Sequence, residues 1–564
     1  MNSIHIDLAP QSGKIATKAA ELLERNLTDR SSAIIASDAE LFLRLNIKEG
    51  IGVEGFRIDD AEPTEHRREI VITGNDERGL LYGVGKFLRQ ARYDDGFIPG
   101  DWRGVSVPEK GVRGMYFATH FHNFYHDAPI EQVQRYIEEL ALWGCNTLAV
   151  WFDMHHYRDL HEPAAQAFIA RLHEILHVAN EVGIGAALIA LGNEAYADSP
   201  LEMRAEGEAE LGIYGVELCP NKPGAMELML RWRREVLEAF ADINVEYVLI
   251  WPYDQGGCNC EACRPWGANG FLKMTQAVGH LTNEIFPHAK NIVSTWCFDY
   301  NKTGEYEGMW RVLETRPDWA DYVMTDAHGA FPSYPQEHGI PGGMPMLNFP
   351  EISMQQMFPW GGFGANPLPA FFQNTWENCG HLMSGGFPYS EGIYEDMTKA
   401  VALQFYWDAK KLAIETVREY AAYEFCTVVA DDVVRIIETL EATQKHYVNV
   451  QLASNLWHAD APALDTESED AVLYSLALIN EPERLCELVQ DVESKLPSWA
   501  SNAWRWRIIA LRVALERELH HSDGCATQKS DSLFEELNQI YNAENADFSV
   551  ATPSRRALKR LCKG

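Results

Sequence analysis

Positive charge is scarce in this chain of 564 residues. It carries 48 lysine and arginine residues against 82 aspartate and glutamate residues, which gives a formal net charge of −34 at pH 7 with histidine neutral. A surface of this sign repels phosphate groups, whether they belong to a nucleic acid or to anionic lipids. We therefore expect neither a nucleic acid nor a membrane surface as a partner.

Long apolar segments are also missing. No run of about 18 apolar residues occurs, so no membrane-spanning helix is predicted. Residues 1–14 lack the basic patch and apolar stretch of a secretory signal. Cysteine is sparse: eleven residues, an odd number, are spread over the chain. That usage is typical of a reducing cytoplasm rather than of a disulfide framework, so a cytoplasmic location is predicted.

Apolar and aromatic residues are plentiful, at 46% and 11% of the chain, and the length exceeds what one core usually supports. Residues 1–108 alternate strand-like and helical patterns, with a strand at 69–73 and a helix at 78–92. They predict a small α/β domain. Proline and glycine between Pro99 and Gly111 mark its end.

Residues 109–410 repeat one unit, a short apolar strand followed by a turn and an amphipathic helix. The predicted strands lie at 112–118, 146–152, 184–191, 246–251, 291–296, 322–326, 344–349 and 381–388. Eight parallel strands alternating with helices predict an α/β fold of the (β/α)8 TIM barrel type. An open doubly wound sheet is the alternative, but no glycine-rich dinucleotide-binding turn follows any of these strands.

Strand patterns stop after Lys410, and residues 411–564 predict an all-α domain. Helical periods occur at 412–425, 431–447, 469–492, 504–520 and 530–542. Leucine and aromatic residues recur there every three or four positions, so Trp504 and Trp506 are predicted to pack or to form contacts between chains. A homo-oligomer, if one forms, is expected to use this helical domain.

Polar residues stand at the end of every predicted barrel strand. The active site of such a barrel lies at the carboxyl ends of its strands, so these residues are the candidates for chemistry. A single loop carboxylate is more often solvated or caps a helix, but carboxylates at several strand ends meet at one rim. The set consists of His120, His122, Asp153, Asn193, Glu194, Asp254, Asp299, Asp326, His328, Glu351 and Glu391.

Aromatic residues stand among these polar positions. A sugar ring presents an apolar face and a belt of hydroxyls, so its pocket combines aromatic faces with carboxylates and amides. The alternative is that the tryptophans cap the barrel core. Hydrolysis of a glycosidic bond needs a protonated carboxyl and a second group that supplies the attacking oxygen. The aromatic residues are Trp151, Trp251, Trp296, Tyr253, Phe298, Trp360, Tyr389 and Tyr394.

Three segments resemble glycoside hydrolases. Residues 70–90, which begin Ile-Val-Ile-Thr-Gly-Asn-Asp-Glu-Arg-Gly, are similar to the α/β domain before the barrel in family 20 β-N-acetylhexosaminidases and family 67 α-glucuronidases. Two further segments resemble family 20 positions that bind sugar hydroxyls: Arg113-Gly114 in the first strand, and Gly385-Gly386 with the Glu391 that follows. The resemblance implies a glycosidase that removes a terminal hexosaminide or uronide.

The segment after the fourth strand departs from family 20. It reads Trp-Pro-Tyr-Asp-Gln-Gly-Gly, with Asp254 as its one carboxylate, where family 20 places adjacent Asp and Glu to orient a substrate acetamide. Family 67 enzymes use an acid after the fourth strand and carboxylates from later strands, so they tolerate this arrangement better. That analogy implies Asp254 as general acid and Asp326 or Glu351 as the group that activates water. The implied substrate-binding residues are Arg113, His120, Asn193, Glu194, Trp251, Tyr253, Trp296, Tyr389 and Glu391.

A water nucleophile implies inversion of the anomeric centre. Inversion requires roughly 6.5 to 9.5 Å between the acid and its partner carboxylate, to leave room for the water. Activity should then follow a bell-shaped pH profile, since the acid must be protonated and the base ionised.

Three cysteines are clustered in the loop after the fourth strand. Cys258, Cys260 and Cys263 can bind a soft metal such as zinc, but a closed site needs a fourth ligand, which could be Cys297 or a histidine. The alternative is a reduced loop whose thiols only pack. Redox chemistry is not favoured, because Cys260 and Cys263 do not open a helix of a thioredoxin-like unit. We predict a structural zinc at most and no cofactor required for catalysis.

Two other functions are compatible with the same barrel. One is a carbohydrate-binding protein that has the pocket without the catalysis. The other is a metal-dependent isomerase or lyase. Its metal ligands could come from several strand ends, namely from His120, His122, Asp153 and Asp326.

Overall fold

A computed structural model describes most of the chain. The described residues are 3–62, 68–93, 96–119, 123–207, 215–253, 256–300, 303–326, 331–350, 352, 368–455, 482–522 and 527–541.

A six-stranded sheet forms the N-terminal region. Its strands are β1 (Ser3–Leu8), β2 (Ile34–Ile35), β3 (Leu41–Ile47), β4 (Phe56–Asp60), β5 (Arg68–Gly74) and β6 (Gly104–Ser106), in the spatial order β2-β1-β3-β5-β4-β6. β1, β2, β3 and β5 are parallel, and β4 is antiparallel to β5 and β6.

Two helices pack with this sheet. Alternate residues of β3, Leu41, Leu43 and Leu45, are fully buried, as the two-residue period of a strand with one covered face requires. α1 (Lys14–Arg30) and α2 (Glu77–Gln90) contact each other, and α2 contacts β5. The predicted α/β region is therefore present at the start of the chain.

Eight parallel strands close into a barrel, which confirms the predicted (β/α)8 fold. β7 pairs with β8 on one side and with β14 on the other, and a short strand, β15, extends the pairing with β7. The strands are β7 (Val112–Phe117), β8 (Thr147–Trp151), β9 (Gly185–Leu191), β10 (Val245–Trp251), β11 (Lys290–Ser294), β12 (Tyr322–Asp326), β13 (Met346–Phe349), β14 (Met383–Gly386) and β15 (Tyr389–Ser390).

Helices surround the barrel. They are α3 (Phe124–Asp127), α4 (Ile130–Leu142), α5 (Pro163–Glu181), α6 (Ala225–Glu238), α7 (Gly270–Ile285), α8 (Glu305–Leu313), α9 (Ser333–His338), α10 (Pro369–Cys379) and α11 (Asp396–Trp407). Single 3₁₀ turns occur at Met154–His156, Leu201–Met203 and Pro341–Gly343. α9 is short because prolines crowd this connection, and proline lacks the N–H that a helix interior requires.

The described residues after the barrel form helices, as predicted. They are α12 (Ala413–Glu424), a 3₁₀ turn at Thr427–Val429, α13 (Ala430–Asn455), α14 (Pro482–Lys495), α15 (Ser498–Ser501), α16 (Trp504–His521) and α17 (Gln528–Tyr541). Trp506 is buried against Phe425, with ring centroids 5.4 Å apart, so it packs within the helical region.

A buried guanidinium joins the helical region to the barrel. Arg505 of α16 donates to Asp396 of α11 and to Glu139 of α4, each at 2.6 Å. These charge-assisted contacts fix α16 against two barrel helices.

None of the helices in the described part of the chain has the length and apolar composition that crossing a membrane requires.

Candidate active site

An aromatic cluster lies at the carboxyl end of the barrel. The ring of Trp251 is 4.7 Å from Phe349 and 5.5 Å from Trp296, and Phe349 is 5.8 Å from Tyr389. Tyr116 extends the cluster, with its ring 5.3 Å from that of Tyr389. The structure thus links Trp251, Trp296 and Tyr389 through Phe349, which the sequence analysis did not include in the site. We call these five residues the aromatic cluster.

Four carboxylates are buried at the strand ends of the same rim: Asp153, Glu194, Asp326 and Glu391 are each between 2% and 4% exposed. Hydroxyl groups hold two of them, because Glu391 accepts a hydrogen bond from Tyr389 at 2.9 Å and Asp326 accepts one from Tyr300 at 3.0 Å. Tyr389 therefore joins a buried carboxylate directly to the aromatic cluster.

The ends of β8 and β9 form a second polar group. Glu194 accepts the indole N–H of Trp151 at 3.3 Å and lies 3.4 Å from Nδ1 of His155. Asp153 lies 3.2 Å from His156, and burial raises the pKa of the Asp153 carboxyl. One ligand atom each of Asp153, His155 and His156 lies within 4.8 Å of the others. Two of the four residues suggested as ligands of a metal-dependent enzyme are described by the structure. Asp153 belongs to this group, and Asp326 does not.

Asn193 holds two loops together. Its carboxamide oxygen accepts the N–H of Gly257 at 2.7 Å, and its nitrogen donates to the carbonyl oxygens of Gly257 and Leu218 at 2.8 and 2.7 Å. Both amide protons are occupied by backbone, and the side chain is fully buried. The structure therefore gives Asn193 a positioning role between the two loops, and its predicted contact with a sugar stays a prediction.

Arg113 lies at the opposite end of its strand from the rim. It is the second residue of β7, fully buried, and it pairs with Glu54 of the N-terminal region at 2.5 Å. Its other nitrogens donate to the backbone carbonyls of Gly144 and Lys110. The structure therefore does not bring Arg113 to the predicted substrate-binding set, because its donors are used at the amino-terminal end of the barrel.

A carboxylate absent from the predicted set positions Tyr253. Glu305, the fully buried first residue of α8, accepts a hydrogen bond from the Tyr253 hydroxyl. It also accepts the N–H groups of Gly267 and Asp299 at 2.8 and 2.9 Å. The sequence signal was an acidic residue in the first turn of the helix after the fifth strand. Because its hydroxyl donates a hydrogen bond to Glu305, Tyr253 is held by the protein at the start of the loop that carries Asp254.

Burial raises the pKa of Glu305 to about 7 from an ordinary value of 4.5. Between these values the folded chain binds a proton that the unfolded chain has lost, so this residue makes stability fall as pH rises. From about pH 5 to about pH 8, we expect the unfolding free energy of the native chain to fall by about 2 kcal/mol more than that of Glu305→Gln. Urea unfolding of both proteins checks this; parallel pH curves would contradict it.

Several predicted residues lie outside the described residues: His120, His122, Asp254, His328, Glu351 and Trp360. The segments flanking two of them are described. Pro252, two residues before Asp254, accepts the indole N–H of Trp266 at 2.7 Å. Pro350 and Ile352, on either side of Glu351, both hydrogen-bond to the backbone of Tyr389, at 2.9 and 3.3 Å. The predicted separation between Asp254 and its partner carboxylate stays a prediction.

Four cysteine sulfurs converge beside the loop after β10. The Sγ atoms of Cys219, Cys258, Cys260 and Cys263 all lie within 4.8 Å of one another. The sulfur that joins the three predicted ones is that of Cys219, from the segment between β9 and α6, and not that of Cys297. We call these four residues the four-cysteine cluster.

Comparison with known proteins gives similar solved structures. No protein-family model and no curated protein sequence matches the chain. A family 138 glycoside hydrolase targeting pectin rhamnogalacturonan II is similar with a TM-score of 0.59 and 12% identity, over 99% of this chain and 91% of that one. A family 115 4-O-methyl-α-glucuronidase with specificity for decorated arabinogalactans gives 0.62 and 12%, over 99% and 79%.

The family 20 β-N-acetylhexosaminidase from Streptomyces coelicolor A3(2) is similar with a TM-score of 0.50 and 15% identity, over 77% of this chain and 92% of that one. The predicted likeness to glycoside hydrolases of the family 20 type is thus confirmed for the fold. At these identities the likeness establishes the fold alone. The matches in families 138 and 115 extend over nearly the whole chain, whereas the family 20 match covers about three quarters of it.

Proposed function

We propose that the protein is a glycoside hydrolase that removes a terminal sugar, with its active site at the carboxyl-terminal rim of the barrel. The observation that carries this proposal is the aromatic cluster with buried carboxylates beside it, since Glu391 is hydrogen-bonded to a member of the cluster. Flat apolar faces next to carboxylates suit the two sides of a sugar ring. The fold shared with glycoside hydrolases of several families supports the same conclusion.

In the proposed mechanism Asp254 protonates the leaving oxygen, while Glu351 or Asp326 removes a proton from the attacking water. Asp254 is assigned from its place directly after β10, and Glu351 from its place between two residues that bind Tyr389. Asp326, at the end of β12, is the alternative base. Attack by water on the face opposite the leaving group inverts the anomeric centre.

Charge favours a neutral substrate over a uronide. The chain has a formal net charge of −34, which repels an anionic sugar at long range. The Arg113 guanidinium does not offset this charge at the rim, because it is paired with Glu54 at the other end of the barrel. We therefore propose a hexosaminide or another uncharged sugar as the terminal residue.

A panel of aryl glycosides tests the proposal. It should include α and β anomers of N-acetylhexosaminides, neutral hexosides and glucuronides, assayed at matched concentration. We expect release of the aryl group from at least one uncharged member, at a rate at least about tenfold above that from the matching glucuronide. Sugar binding without any release would instead support a non-catalytic carbohydrate-binding protein. Faster release from the glucuronide would contradict the charge argument.

The panel also measures the role of Glu391. Replacing it with Gln keeps the size of the side chain but removes the charge that accepts hydrogen bonds from Tyr389 and from substrate hydroxyls. Because hydrogen bonds to a charged acceptor contribute about 1.5–3 kcal/mol, we expect Glu391→Gln to lower kcat/KM by roughly 10- to 100-fold. The matched control is Glu377→Gln, an exposed position on the outer helix α10, which should leave kcat/KM unchanged. Equal kinetics for the two variants would remove Glu391 from the site.

A further inference from the structure

We propose that the four-cysteine cluster binds one zinc ion as a closed structural site. The site would fasten the loop after β10, which carries Asp254, to the segment after β9. The metal itself does not depend on the proposed function, since binding can be measured without any substrate.

The sulfur positions fit a tetrahedral thiolate site. Cys219 Sγ lies 3.7 Å from Cys260 Sγ and 3.8 Å from Cys263 Sγ, and all four sulfurs lie within 4.8 Å of one another. Four thiolates at about 2.3 Å from a zinc ion stand about 3.8 Å apart along each edge of the tetrahedron. Three of the four side chains are buried, and Cys260 is half-buried. The cluster therefore has the dimensions and the burial of a closed site.

The surroundings supply hydrogen bonds to the sulfurs. The backbone N–H of Glu206 donates to Cys258 Sγ at 3.4 Å, and the side-chain amide of Asn221 donates to Cys263 Sγ at 3.2 Å. Lys273 donates to Pro220 O and to Asn221 Oδ1, at 3.1 and 3.0 Å, which places an ammonium group beside the cysteine segment. N–H donors and a nearby cation stabilise the negative charge of four thiolates around a divalent ion.

Ligand chemistry selects the ion and its role. Four thiolates in a tetrahedron are typical of structural zinc, and a site with four protein ligands leaves no open position for a catalytic water. The ligands come from two separate segments, Cys219 from one and the 258–263 loop from the other. Asn193 already joins the same two segments through Gly257 and Leu218. A zinc ion would add a second, stronger connection four residues after Asp254.

Metal analysis of the purified full-length protein tests the site. Protein from zinc-supplemented cultures should contain about one zinc ion per chain, and Cys219→Ser should retain less than about a tenth of it. The matched control is Cys297→Ser, a buried cysteine outside the cluster, which should keep its full zinc content. Absence of zinc, iron in its place, or equal zinc loss from both variants would overturn the proposal.

A second measurement avoids variants that fail to fold. The native protein is titrated with an organomercurial, and a zinc-sensitive dye reports the zinc that is released. One zinc ion should be released for about four thiols modified. Zinc release that does not follow thiol modification would overturn the assignment to cysteine ligands. If the protein holds zinc and yet cleaves no glycoside in the panel, the zinc site stands and the proposed function fails, so the two failures are distinguishable.

Discussion

Replacing Asp254 with Asn should lower kcat by about 10²- to 10⁴-fold on glycosides with a poor leaving group, while sugar affinity stays within about threefold. Asparagine has nearly the same size as aspartic acid, but it cannot donate the proton that the leaving oxygen requires. An aglycone that leaves readily as an anion needs no such proton. The loss should therefore shrink as the leaving group becomes more acidic, which a merely structural defect would not produce.

The test combines steady-state kinetics on a series of aryl glycosides with sugar binding by calorimetry. Asp318→Asn provides a control, because Asp318 is an exposed carboxylate in the connection that follows α8. It should match the native chain in both measurements. An Asp254→Asn variant that keeps its turnover, or that loses the same factor on every leaving group, would show that the general acid lies elsewhere.

Replacing Arg113 with Ala should cost about 3–5 kcal/mol of folding free energy and leave KM unchanged. The guanidinium is fully buried and pairs with Glu54, so its removal leaves a buried carboxylate short of its partner. Burial would raise the pKa of Glu54, but the charges of Arg113 and Arg78 hold it below its ordinary value. A lowered pKa stabilises the fold above the ordinary value and loses that effect in acid, so the deficit of Arg113→Ala should shrink as Glu54 becomes protonated.

Urea unfolding followed at several pH values measures this deficit. The control is Arg135→Ala, which removes an ion pair with Asp29 of 2.8 Å whose two side chains are both about half exposed. An exposed pair contributes at most about 1 kcal/mol. A stable Arg113→Ala variant with a KM raised about tenfold or more would return Arg113 to the substrate-binding role that its sequence context implied.

The fold could be predicted because its signal is local. Each barrel strand is a short apolar run followed by a helical period, and the observed β8, Thr147–Trp151, lies within the predicted 146–152. The position of the candidate site could be predicted from the parallel arrangement of the strands alone, because that arrangement brings strand ends such as Trp251 and Asp326 to one side of the barrel. The connection before β13 was also predictable from a local signal, because its prolines limit helix formation and its α-helix, α9, has only six residues.

Long-range pairing is what the sequence could not reveal. Arg113 is separated from Glu54 by 59 positions, and the two residues belong to different sheets, so the Arg-Gly pattern could not show at which end of the strand the Arg113 side chain is used. Cys219 precedes Cys260 by 41 positions, and only folding brings it to the other thiols. Glu305 gave only the weak signal of an acid at a helix start, and its burial against Tyr253 became visible in three dimensions.

Proton NMR of the reaction with the best glycoside of the panel tests the central claim most directly, because it shows which bond breaks and from which side the water attacks. The account predicts that the first signal is the anomeric proton of a free reducing sugar with configuration opposite to that of the substrate, followed by slow mutarotation. A first-formed sugar with the substrate's own configuration would contradict direct attack by water. An unsaturated or isomerised sugar would contradict glycoside hydrolysis itself and point to a lyase or isomerase on the same barrel.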